Sequence, residues 1–192
     1  MTYLRCSTKI SAYLSKQLNY SHEKSIILAY AIDSIVLSIA GFLFIMVIAL
    51  LFGVVKETFF AALAGGILRK FSGGVHCSTA FRCLVMGAII YPIIGILANL
   101  LFLYHQSFPG YYLLIIVSGV VCIIIVYLYA PVDSTAKPII SLTFRKKLRI
   151  SSMLTVLIFC AISMATITSN ISISIMGGLL FQAITLFPAF SN

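Results

Sequence analysis

Apolar residues in this chain do not alternate with polar ones; they run on. Long uninterrupted stretches are separated by short polar breaks, and several reach the roughly 20 residues that cross a bilayer as a helix. The pattern predicts membrane helices at about 25–52, 54–68, 84–103, 111–130, 151–168 and 171–188. The second is short and carries Lys56 and Glu57 at its start, which also allows a re-entrant segment. Before the first span, Leu4, Ile10, Leu14 and Leu18 recur near one face of a weakly amphipathic N-terminal helix, the pattern of a segment lying on a membrane. The fold class is therefore an all-α polytopic membrane protein, with about six transmembrane helices after an interfacial helix. A single membrane domain over 1–192 is expected, with 1–24 at the interface and 25–192 in the bundle.

Composition agrees. Of the 192 residues, 61% are hydrophobic and 9% charged, and mean hydropathy is +1.14, far from the roughly 25% charge of soluble domains. The N-terminus lacks the short apolar core and small-residue cleavage site of a signal peptide, so the whole chain is expected in the mature protein. The five cysteines are odd in number and scattered, and imply no disulfide framework. Cys122 and Cys160 lie in apolar runs, where a thiol behaves as a small hydrophobe.

Charge orients the spans. With six crossings and a cytoplasmic N-terminus, Arg5, Lys9, Lys16, Lys24, Arg69, Lys70, Arg82, Lys137, Arg145, Lys146, Lys147 and Arg149 all face the cytoplasm. Lys56 alone of the thirteen cations then lies outside. A re-entrant 54–68 would send the cations of the first loop to the wrong face, against the positive-inside rule. Both termini are thus expected inside. The net charge of +9 comes without a basic helix interleaved with aromatics, so no nucleic acid is expected. Anionic lipid or an acidic peptide is the expected partner.

One polar break is unusual. Residues 69–83, "RKFSGGVHCSTAFRC", bring paired glycines, a histidine, two cysteines and three cations to the predicted cytoplasmic surface. Gly73 and Gly74 suit a sharp turn, and Ser78 can cap the helix that becomes the third span. Cys83 then falls just inside that helix, with His76 just before it. On one continuous helix these two would stand about 10 Å apart along the axis, so a working pair requires the turn to fold His76 back. A thiolate beside imidazole is a strong nucleophile, favoured near Arg and at helix N-termini. Spacing leaves three alternatives open: Cys77 as the nucleophile, an inert interfacial loop, or a metal held by His76, Cys77 and Cys83. The last lacks CxxC or HxxxH spacing and must import a ligand such as His22, since His105 is expected on the opposite face. No metal or other cofactor is expected.

The stretch resembles the signature of the accessory gene regulator protein B (AgrB) family of quorum-sensing membrane endopeptidases: a basic pair, a glycine turn, a His, and a Cys seven residues on. "YAPVDSTAKPI" followed by "RKKLR" is similar to the family's Tyr-Ala-Pro element, Lys-Pro and basic cytoplasmic loop. "LLFQAITLFP" is similar to its C-terminal span, where an acidic residue often replaces Gln182. The resemblance covers essentially the whole chain. It implies His76 as general base and Cys83 as nucleophile; Cys77 falls where other members carry different small residues. Arg69 and Gly74 match positions tied to activity. The implied substrate is a short AgrD-like propeptide with an amphipathic leader, a signal segment containing Cys or Ser, and an acidic tail. The implied assembly is a homodimer.

Two further features are weighed beside it. Asp33 would lie about 12 Å along the first span from its cytoplasmic end, and an ionisable group at that depth is a candidate functional residue. It could orient His76 or hydrogen-bond two helices together; Gln182 is a second orienting candidate, read as more structural. The basic residues Lys137, Arg145, Lys146, Lys147 and Arg149 either set topology beside anionic lipid or bind the acidic tail. A rival from another class is a small transporter or channel for a peptide or ion, using broken helices and midplane polar residues. Here the polar residues gather at one surface, and no half-to-half repeat is visible.

Overall fold

The computed structural model describes residues 3–18, 20–74, 80–104, 110–132 and 141–187. Among them are seven α-helices and no strands: α1 Tyr3–Gln17, α2 His22–Leu51, α3 Val55–Ser72, α4 Ala80–Tyr104, α5 Tyr111–Tyr129, α6 Leu142–Ala165 and α7 Ile171–Ile184. The chain forms two compact units, residues 1–44 and 45–192.

In the first unit, α1 buries Ser11 and Ser15 while Ile10, Tyr13 and Leu18 stay exposed. Lys9, Lys16 and Gln17 are exposed as well. The α2 segment of this unit is mostly exposed and apolar, with Asp33 half-buried.

Four helices have the length and apolarity to cross a membrane: α2, α4 from Phe81, α5 and α6. Two of the six predicted spans are not of this kind. α3 has 18 residues but carries Lys56, Glu57, Arg69 and Lys70, and α7 has 14. Both are interior elements. α3 packs against α4, α6 and α7, and α5 packs against α6 and α7. Fully buried Leu68, Ile115, Ile175, Met176 and Leu179 form the centre.

α3 and α7 lie close because small residues line their contact. A Cβ on Gly65 would meet the Gly178 carbonyl at 2.9 Å, and one on Gly178 would overlap the Ala61 carbonyl. In lipid, where apolar burial gives helices little drive to associate, such close backbone approach supplies the dispersion contact that holds them.

The boundaries differ from expectation mainly at α6. The span was expected from 151, but the helix begins at Leu142, with the Ser141 hydroxyl accepting from Phe144 N at 3.4 Å. Arg145, Lys146, Lys147 and Arg149 therefore ride on a helix rather than in a loop. Lys and Arg are good helix formers, so a basic run does not end a helix as it ends an apolar span.

Candidate active site

The two polar ends of α3 are held by the same partner. At its start, Glu57 is buried and its Oε1 accepts from Asn170 Nδ2 at 2.6 Å; that amide also donates to Asn99 Oδ1 of α4. At its last turn, Arg69 Nη1 donates to Gln182 Oε1 at 3.5 Å. Glu57 with Asn170, Gly65 with Gly178 and Arg69 with Gln182 share a sequence offset of 113. A constant offset over twelve residues means that α3 and α7 run parallel in fixed register.

The α3 end carrying Arg69 leads into the glycine turn. Gly73 has φ 69° and Gly74 φ 135°, conformations closed to most L-residues. Gly73 N caps α3 by donating to Arg69 O at 3.0 Å. Gln182, fully buried, donates from Nε2 to Gly73 O at 2.7 Å and to Ser72 Oγ at 3.3 Å. On the other side Val132 N donates to Ser72 O at 2.9 Å. The Val132 carbonyl sits where a Cβ of residue 73 would go. The Tyr-Ala-Pro element thus lies against this turn. It is tied to α6 as well, because Arg149 Nε donates to Ala130 O at 2.8 Å.

Cys83 is half-buried in the first turns of α4. Tyr91 follows eight residues later, which places both on one face of the helix about 12 Å apart. Helical side chains lean toward the N-terminus, so the buried Tyr91 ring leans toward Cys83. Its hydroxyl lies over Gly65, and its ring stands edge-on to Phe181. Arg69 borders the turn, and Cys83 stands in the first turn of α4, the helix that follows it in the chain.

Of the residues singled out in the sequence, Arg69 and Gly74 meet at the turn, and Cys83 follows in α4. Asp33 belongs to the first unit, whereas this site is built from the second. Arg145 and Arg149 are half-buried on α6, and Lys146 and Lys147 are exposed. His76, Cys77, Ser78, His105 and Lys137 lie outside the described residues. His22 is exposed at the start of α2. Among the described residues no three His, Cys, Asp or Glu side chains group as metal ligands.

Sequence reasoning read Gln182 as more structural than orienting, in line with its buried bonds to Arg69, Ser72 and Gly73; it did not single out Tyr91, and it named Arg149 only within the basic cluster. Tyr91 had a local signal, its i+8 spacing from Cys83. The bond of Arg149 to Ala130 O had none, since it joins positions 19 residues apart across the 133–140 segment.

Comparison with known proteins gives a consistent result. The sequence model of the family described as Accessory gene regulator B matches residues 7–186. An AgrB-like protein of Clostridium perfringens (strain SM101) is 30% identical over 190 residues, covering 94% of this chain and 89% of that protein. A second AgrB-like protein, from C. perfringens strain 13, is 28% identical with the same shares covered. One from Clostridium acetobutylicum is 25% identical over 179 residues, covering 93% of this chain and 82% of that protein. No solved structure gives a significant match. With its long apolar helices and a family match over nearly its whole length, this chain is a multi-pass membrane protein that belongs to the accessory gene regulator B family.

Proposed function

We propose that this protein is a membrane-embedded cysteine endopeptidase. It removes the C-terminal tail of a short AgrD-like quorum-sensing propeptide and promotes closure of the product into a thiolactone or lactone. The observation that carries the reading is the setting of Cys83. A half-buried thiol opens a membrane helix at the same end of the bundle as Arg69 and a locked glycine turn, in a chain of the accessory gene regulator B family.

In this mechanism the Cys83 thiolate attacks the carbonyl carbon at the end of the signal segment. The C–N bond breaks, and the tail amine leaves with a proton from His76. The acyl-enzyme thioester is next attacked by the peptide's own thiol or hydroxyl, whose proton returns to His76 as the Cys83 thiolate departs. Cyclisation outruns hydrolysis because the nucleophile is tethered and water is scarce in a site among membrane helices. Lys137, Arg145, Lys146 and Lys147 hold the acidic tail.

The topology proposed with this function has six crossings, with α3 and α7 as the second and sixth. Alternating crossings require these two to run in the same direction, and their constant offset of 113 agrees. The positive-inside rule then places both termini and Cys83 at the cytoplasmic face. The 192 residues act as one membrane domain, residues 1–24 lying on anionic lipid, in a homodimer.

The test is cleavage of the cognate propeptide by the protein in liposomes, read by mass spectrometry. Cys83→Ser and His76→Ala are each expected to abolish tail release, and Cys77→Ala to retain most activity. A dead Cys77→Ala with an active Cys83→Ala would overturn the assignment of the nucleophile. Zinc-restored activity after chelation would replace the mechanism.

A further inference from the structure

Two consecutive glycines are the least constrained dipeptide a chain can contain. Whatever aims the backbone through Gly73 and Gly74 must therefore come from outside it. The strongest such hold is Gln182. Burying an amide without partners is unfavourable, yet Gln182 is fully buried near the end of an otherwise apolar stretch of α7. Its burial is matched by bonding at both ends. Nε2 donates to Gly73 O at 2.7 Å, and Oε1 accepts from Arg69 at 3.5 Å.

The same side chain also bounds the next residue. A Cβ on Gly74 would stand 3.1 Å from Gln182 Nε2 and 2.8 Å from Thr185 Oγ1, and that hydroxyl itself donates to Gln182 O at 2.7 Å. Position 74 is thus closed to a side chain on the α7 side. His76 follows two residues later in sequence.

We infer that Gln182 is a positioning residue for the peptidase chemistry: by donating to Gly73 O it sets the direction in which the chain runs from α3 toward His76. The inference rests on the proposed function. The inference is for this chain: its amide donates to Gly73 O, whereas an acidic residue at this position, often found in the family, can accept from Arg69 but as a carboxylate cannot donate to the turn.

Two variants of the full-length protein in liposomes test it, by propeptide cleavage and by hydrogen exchange of peptides covering 69–74 and of α5 as a control. Gln182→Leu keeps the volume and removes both bonds. Its kcat is expected to fall about 100-fold, the scale of a 1 Å misplacement, with KM within about twofold. Exchange should quicken at 72–74 and not in α5. Gln182→Glu keeps the acceptor for Arg69 and loses the donor to Gly73 O; Arg69 favours its ionised form, so kcat is expected to fall in the same direction across the working pH range. A Gln182→Leu protein with wild-type kcat, or with a loss confined to KM, overturns the inference. So does unchanged exchange at 72–74. Should Gln182→Leu loosen α5 as well, Gln182→Glu decides, and wild-type kcat with unchanged exchange at 72–74 is the negative result. If the wild type releases no tail, or Cys83→Ser still releases it, the peptidase reading falls by itself while exchange at 72–74 still judges the hold.

Discussion

The two ends of α3 are each gripped by a carboxamide from the α7 region, yet the grips differ in kind. At the start, the Asn170 amide bridges Glu57 of α3 and Asn99 of α4, joining helix ends side chain to side chain. At the finish, the Gln182 amide reaches past its side-chain partner to the backbone of a glycine turn. The first grip fixes helices; the second aims a loop. Mutating the first should therefore cost stability and leave turnover per folded molecule alone, whereas mutating the second should cost turnover. On the proposed function, similar side chains at the two ends of one helix contact divide into structural and functional roles according to what they hold.

The largest expected effect removes the comparison altogether. Gly178→Leu forces a side chain into the Ala61 carbonyl midway between the two grips. Overpacking of this kind costs about 3 kcal/mol. Both ends should fail together, seen as a lost folding transition in detergent and no cleavage. A folded, active Gly178→Leu protein would show that the α3–α7 register is not needed.

Next is Asn170→Leu, which leaves the buried Glu57 carboxylate short of a donor. About 2 kcal/mol of stability should go, a fall in Tm of roughly 4–8 °C for a protein of this size. The surviving folded fraction should keep wild-type kcat. Adding Glu57→Leu should recover part of the loss, because the orphaned charge is gone. A kcat defect in folded Asn170→Leu protein would erase the distinction between the ends.

Arg149→Met tests the other side of the turn. It keeps the aliphatic stem and removes the donor to Ala130 O, at about 1.5 kcal/mol for a hydrogen bond from a charged group. Segment 130–132 should loosen, with faster exchange at Val132. If exchange there is unchanged, the Tyr-Ala-Pro element is held some other way.

The smallest effect is expected at the exposed Lys146 and Lys147. Replacing both with Gln should raise KM for the propeptide severalfold with little change in kcat, since exposed pairs are worth at most about 1 kcal/mol each and weaken with salt. Neutralising the peptide's acidic tail should give a similar defect, and the two changes together should cost less than their sum. Strict additivity in a correctly inserted protein would remove tail binding and leave topology as the role of these cations.

Much of the molecule was determined by the sequence itself. The apolar runs at 25–52, 84–103 and 111–130 became α2, α4 and α5 within a few residues, because lipid satisfies an apolar helix wherever it sits and the condition is local. The glycine turn was equally local: Gly73 and Gly74 both adopt the positive φ that their lack of Cβ permits. Charged runs misled, because α6 continues through Arg145–Arg149 to Leu142 where the apolar span stops at 151. Only the tertiary structure decided which polar groups meet. The parallel register of α3 and α7 joins residues 113 apart, and it turns Gln182 from one amide in an apolar helix into the hold on the turn before His76. A buried polar group must find its partner across helices, and the choice of partner depends on register and close approach rather than on its neighbours in the chain.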